Sequence, residues 1–308
     1  MKYKNLKGSL ILCVAALLWG LAFVAQTNAS AVPSFLINCL RSYISVPFLY
    51  IVYRIVKRKN PEPVFPKDKK ERKTVITGAI VCGIFLAISV NFQQFGIAFY
   101  PDGAAVEAHS GFITALYVII VPLFSVFLKR KISPLVWVSV VIALVGFYLL
   151  CFKSGLDGFY FADLLVLICA VCFSLHIFAV DKFVGAVGGI RLSMLQFLVC
   201  GTVSGILSLI FEIPDYNSAV LLNAMPYILY LGIMSSGVAY TLQIIGQKYA
   251  EPAFASLSMS LESVFAAIGG ALAGNLLTTR EFIGCAVVFA AIIIAQIPEL
   301  IASKKEKV

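Results

Sequence analysis

The chain has 308 residues, 61% of them apolar and 13% charged, with a mean hydropathy of +0.97. Soluble globular domains carry about 45–50% apolar and about 25% charged residues, so these proportions exclude that class and predict an all-α membrane protein that crosses the bilayer many times. The net charge of +9 does not make a nucleic-acid partner, because the lysines and arginines lie in short segments between apolar runs, where charge sets orientation.

A helix needs about 20 mostly apolar residues to cross a bilayer. Ten such runs fall at 8–28, 34–56, 74–95, 105–128, 134–152, 162–181, 191–211, 226–246, 253–274 and 280–302. The first imitates a secretory signal, with Lys2, Lys4 and Lys7 ahead of it and Ala29-Ser30-Ala31 as a cleavage-like site. Its apolar stretch from Gly8 to Ala25 is too long for that, and a similar segment recurs later in the chain. Both termini are expected in the cytoplasm: that choice places every Lys and Arg of the 24 except Arg41, Lys153 and Arg280 on the cytoplasmic side. Residues 57–73 form the one long hydrophilic connection, a basic cytoplasmic loop in which Pro61, Pro63 and Pro66 oppose helix. The eight cysteines sit in or beside apolar runs as small hydrophobes, and Cys169 and Cys172 lack the second ligand pair a metal site would need. No metal or other cofactor is expected.

The two halves match weakly at several points in the same order. Trp19 aligns with Phe173, Gln94 with Gln243, Tyr100 with Tyr249, and Leu116-Tyr117 with Leu261-Glu262. This order divides the chain into two five-helix units, 8–152 and 162–302. An odd number of spans inverts the second unit relative to the first, which is the architecture of an alternating-access carrier.

The ninth run concentrates the chemistry. Between Pro252 and Asn275 the one ionisable residue is Glu262, flanked by small residues Ser256, Ser260, Ser263, Ala267, Gly270 and Gly274 that allow close helix packing. A carboxylate at mid-bilayer has to face protein or trapped water, so Glu262 is expected to bind a cationic part of a substrate or to exchange a coupling proton, against the plainer reading of a protonated, hydrogen-bonded carboxyl. Its repeat mate Tyr117 should approach the same cavity or pack as an aromatic. Asn91 and Gln94 share a face of the third run, as Tyr240 and Gln243 do of the eighth; they line the cavity or tie helices together. Trp19 offers a stacking surface or apolar packing. His176 offers a proton relay or a neutral histidine bonded to its neighbours. It does not combine with Asp181 as a catalytic HxxxxD, since residues five apart diverge by roughly 140° around a helix. Arg41 lies about 10 Å below the outer end of the second run, within reach of Glu107 at the entrance of the fourth, as a gate or a static ion pair; Gln196 aligns near it in the second half.

The segments AALLWGLAF (Ala15–Phe23), SGFITALYVIIVPLF (Ser110–Phe124) and YTLQIIGQKYAEPAFASLSMSLESVFAA (Tyr240–Ala267) resemble the EamA-like family of the drug/metabolite transporter superfamily, over nearly the whole chain. The resemblance implies a ten-helix carrier with a central cavity walled by runs 1, 3, 4, 6, 8 and 9. Family members often have Glu-Pro where this chain has Glu262-Ser263, and Gly-Glu where it has Lys129-Arg130 and Gly274-Asn275. The missing proline predicts a straighter ninth helix.

The expected activity is secondary transport of a small molecule that is amino-acid-like, aromatic or amphipathic, in the cell membrane, with a proton as a compatible coupling ion. No HExxH, GxSxG or GxxxxGK[ST] is present to encode hydrolysis or direct ATP drive. The remaining alternatives are an intramembrane enzyme using Glu262 or His176 as a base on a lipid-linked substrate, and a non-transporting scaffold. The sequence leaves substrate, direction of transport and oligomeric state open.

Overall fold

The computed structural model describes residues 4–101, 106–130, 132–151, 160–272 and 278–305. Among the described residues the chain is helical, without β-strands. The first half contains α1 (Lys4–Asn28), α2 (Ser34–Val56), α3 (Lys69–Phe99), α4 (Val106–Ala115), α5 (Tyr117–Phe127) and α6 (Pro134–Cys151). The second contains α7 (Phe161–Val187), α8 (Gly189–Phe211), α9 (Ser218–Tyr230), a π-helical segment Leu231–Ala239, α10 (Tyr240–Gln247), α11 (Pro252–Met259), α12 (Leu261–Leu272) and α13 (Thr279–Lys305). Eight helical stretches are long and apolar enough to cross a membrane, and 134–149 and 282–295 are shorter apolar helices.

The surface shows what solvent the protein was built for. Exposed Leu10, Val14, Leu17 and Leu21 run down one side of α1, and Ile76, Ile80, Ile84 and Ile88 down one side of α3. Buried instead are Gln26, Asn38, Arg41, Asn91, Gln93, Gln94, His176, Gln196, Gln243 and Glu262. Apolar outside and polar inside is the arrangement hydrocarbon demands, because a polar group there must find its partner within the bundle.

Helix ends are settled by local chemistry. Asp68 caps α3, its carboxylate accepting from the amides of Lys70 and Glu71 at 3.0 and 2.8 Å, so the last residues of the expected 57–73 loop are already helical. The first turn of α2 follows Pro33 and has no cap of its own. Glu212, at the end of α8, accepts from the amides of Phe35 and Leu36 at 2.8 and 2.9 Å, placing a carboxylate at a helix N-terminus from a remote part of the chain. The remaining loop folds back on the protein. Glu62 accepts from Lys57 and from Nη2 of Arg191 at 2.7 Å, and the hydrogen bond from Lys57 holds its carboxyl below the usual carboxylate range.

Two of the spans are broken at their centres. The stretch 106–127 is interrupted at Leu116 and the stretch 252–272, the expected ninth run, at Ser260, with nearly equal backbone angles: φ −60°, ψ −13° at Leu116 and φ −63°, ψ −12° at Ser260. The ninth was expected to run straighter for want of a proline. Serine hydroxyls supply the perturbation, since Ser256 donates to the carbonyl of Ala253 and Ser260 to that of Leu257, competing with backbone amides for those acceptors.

Small residues let the helices touch. At Gly20, where α1 crosses α12, an added Cβ would lie 2.4 Å from Cβ of Phe265 and 2.7 Å from the amide nitrogen of Ala266. At Gly185 it would meet nothing within 4 Å. Gly20→Ala should therefore destabilise by about 1–3 kcal/mol through overpacking, while Gly185→Ala should stabilise by up to about 1 kcal/mol through helix propensity. Melting temperatures in detergent should move in opposite directions; a shared direction would contradict this packing.

Candidate functional site

A hollow lies at the middle of the bundle, between the two helix breaks. From α1 it is faced by Trp19, Ala22, Phe23 and Gln26, which follow the i, i+3, i+4, i+7 spacing of one helical face. Arg41 of α2, Gln93 of α3, Thr114 of α4 and Tyr117 of α5 continue the wall. Phe173 and Ile177 of α7, Ser235 of the π segment, Tyr240 and Gln243 of α10, Met259 of α11 and Glu262 of α12 complete it.

At its centre the hydroxyl of Tyr117 donates to Oε1 of Glu262 at 2.8 Å, with the two residues 3% and 5% exposed. Each follows a helix break, Tyr117 by one residue and Glu262 by two. The hydroxyl of Ser263, next to Glu262, donates to the carbonyl of Gly111 at 2.7 Å, so α12 is tied to α4. Oε2 of Glu262 has no hydrogen-bond partner among the described residues. Nε1 of Trp19 and Oε1 of Gln243 are also unpartnered, leaving a donor and an acceptor on two residues of the wall. Trp19 and Tyr240 meet edge to face with ring centres 4.7 Å apart.

An amide chain closes one side. Nε2 of Gln26 is shared between Oε1 of Gln94 at 3.1 Å and Oε1 of Gln93 at 3.3 Å, and Gln93 passes the chain to Thr114 at 3.2 Å. Three helix systems are joined by neutral groups that can exchange partners without moving a charge.

Trp19, Tyr117, Tyr240, Gln243, Glu262 and Arg41, all singled out in the sequence, line the hollow. Asn91, Gln94 and His176 do not. Asn91 accepts from Asn38 and donates to Ser204, both at 2.9 Å, tying α2, α3 and α8 together. Gln94 turns toward α1 as the acceptor for Gln26. His176 is fully buried and hydrogen-bonded to Oε1 of Gln196 at 3.0 Å. The expected Arg41–Glu107 contact is not formed: Arg41 donates to Ser235 and Ser236 of the π segment, and Glu107 forms no ion pair among the described residues.

Gln26, Gln93, Thr114 and Ser235 were missed. Gln26 was legible as the polar member of the face that begins at Trp19. Gln93 was hidden beside Gln94, because one step along a helix decides which of two neighbouring amides meets the hollow and which meets the next helix. Hydroxyls such as Thr114 and Ser235 carry no sequence signal, since they satisfy themselves on their own helix as readily as elsewhere.

The hydrogen bond between Tyr117 and Glu262 should be measurable as a coupling. A double-mutant cycle of Tyr117→Phe and Glu262→Met, read by reversible unfolding in micelles, should give about 1–2 kcal/mol. Additive effects would contradict direct contact.

The EamA-like transporter family model matches residues 6–152 and 160–296. A protein of Archaeoglobus fulgidus named as an uncharacterized transporter is 27% identical over 306 residues, covering 96% of this chain and 87% of its own. Another of that name, from Clostridium kluyveri, is 27% identical over 191 residues, covering 58% of this chain and 60% of its own. A crystal structure of a protein 22% identical in sequence superposes with a TM-score of 0.74, covering 95% of this chain and 97% of that one, which shows a shared fold. With its apolar exterior, polar central hollow and family match along nearly all its length, this chain belongs to the EamA-like transporter family and is a multi-pass membrane transporter.

Proposed function

We propose that the protein is a secondary carrier of the cell membrane that moves a small metabolite by alternating access, with Glu262 as the group that meets the solute's cationic part or a coupling proton. The observation that carries this reading is the hydrogen bond between Tyr117 and Glu262, which joins corresponding positions of the two halves across the hollow. A carboxylate there is held by one phenol, so a cation or proton that enters competes directly for the same oxygen atoms.

The pattern of helix contacts supports a pseudo-two-fold relation between the halves. α2 packs on α8 and α6 on α13, each a span against its own counterpart. The pairing of α3 with α7 is mirrored by that of α1 with α10 and the π segment, and α1 on α11 and α12 is mirrored by α7 on α4 and α5. Exchanging the halves turns each contact into another contact. In this reading ten spans form two inverted units, 8–152 and 162–302, with both termini in the cytoplasm, and the outward-open and inward-open states are related by that exchange.

The hollow leaves about 40 Å³ for water centres. One water needs roughly 10–15 Å³, so this conformation holds a few waters and must widen to admit a metabolite. The paired breaks at Leu116 and Ser260 are the points at which the fourth and ninth spans can bend to do so. The aromatic rings of Trp19, Phe173 and Tyr240 and the amides of Gln26, Gln93 and Gln243 fit an amino-acid-like, aromatic or amphipathic solute.

Purified protein in liposomes, offered a mixture of metabolites, should move at least one, and an imposed proton gradient should change the rate. Glu262→Gln should lower transport by about tenfold or more and flatten the dependence on the gradient. Full transport with an unchanged pH profile in that variant would remove Glu262 from the mechanism.

A further inference from the structure

We infer that Arg41 is the cavity's receptor for an oxyanion, so that the transported solute carries a carboxylate or phosphate group. This rests on the carrier reading but turns on a different residue. Arg41 is 3% exposed and lines the hollow. Nε donates to Ser236 at 3.0 Å and Nη2 to Ser235 at 2.8 Å. Both acceptors are neutral hydroxyls, so they fix the guanidinium without balancing its charge. No carboxylate pairs with it among the described residues, and Nη1 has no hydrogen-bond partner there. The acid that shares the hollow, Glu262, is bonded instead to Tyr117.

A buried cation held only by neutral groups has most of its desolvation cost uncompensated. A structural arginine inside a bundle pairs with an acid or with backbone carbonyls, and among the described residues Arg41 is hydrogen-bonded to neither. Here the arrangement leaves one side of a planar fork open, and the fork's geometry matches two oxygens of a carboxylate or phosphate. Ser235 adds to it. Its oxygen accepts from Nη2, so its own O–H remains to donate into the hollow that it lines.

The backbone is shaped for this contact. Leu231–Ala239 is π-helical, a rare form that is frequent at functional sites, and within it adjacent Ser235 and Ser236 both accept from the same guanidinium. Gly232 and Gly237 allow α2 to lie against that segment: an added Cβ would be 2.6 Å from Cγ2 of Ile44 at the first and 2.7 Å from Cδ1 of Phe48 at the second. A solute with an oxyanion would balance the guanidinium of Arg41 while the rest of it meets Glu262, whereas a neutral solute would leave that guanidinium unbalanced.

The test uses the purified full-length protein in detergent and thermal stabilisation by matched pairs: carboxylic acids with their primary amides, and phosphate monoesters with their parent alcohols. The charged member of at least one pair should bind about tenfold or more tightly than its neutral partner, and the pair that discriminates tells carboxylate from phosphate. Arg41→Gln should erase the discrimination. Arg41→Lys, which keeps charge without the fork, and Ser235→Ala should each reduce it several-fold, and they decide the matter if Arg41→Gln does not fold. Absence of discrimination in the wild type overturns the inference, as does discrimination undiminished in Arg41→Gln or, where that variant does not fold, in both of the other two. Binding needs no transport, so liposomes that move no solute would remove the carrier reading alone, and an adverse binding result beside intact transport would remove Arg41 alone.

Discussion

A carboxyl group at the middle of a membrane must be given polar neighbours by the protein itself, and the bundle is arranged around meeting that demand for Glu262. Lipid tails offer no hydrogen bond, and leaving a charge among them costs about 2.5–3.5 kcal/mol on insertion scales. The phenol of Tyr117 supplies the bond from the other half of the chain. Everything that brings those two atoms within 2.8 Å is thereby constrained: the crossing of α11 and α12 with α4 and α5, the close approach of α1 at Gly20, and the tie from Ser263 to Gly111.

Irregular backbone is concentrated at the same depth. Helices in lipid normally keep every backbone bond internal, and departures are tolerated where they border a cavity or lie within protein. Leu116, Ser260 and the π-helical Leu231–Ala239 all adjoin residues of the hollow. On its wall, α3 and α7 run unbroken for 31 and 27 residues and pack along one another, giving the bundle a continuous side against which the interrupted spans can change shape.

Much of this was legible in the sequence because hydrocarbon imposes a stark alphabet. One acid in a long apolar run marks Glu262, and order-preserving matches between the halves lead to Tyr117. Tyr240 and Gln243 followed from the same alignment, and Trp19 from the cavity walls that the family resemblance implies. The helix break at Ser260 was not foreseen, because proline is the conspicuous breaker and serines acting on carbonyls three residues back leave no equivalent mark. The π segment was illegible for a similar reason: no residue type dictates an i→i+5 pattern. Arg41 was read as reaching for the nearest expected acid, Glu107. Its partners lie 194 and 195 residues away and bear no charge, and only the folded chain brings them to it.

The central claim is that the space beside Tyr117 and Glu262 is wet and opens in turn to the two sides of the membrane. Its most direct test is a single cysteine at position 114, in a chain whose native cysteines are replaced, exposed to a small membrane-impermeant thiol reagent in right-side-out and inside-out vesicles. The account predicts labelling from both sides, each slowed by a transported solute. A thiol at that position that reacts from neither side would contradict it.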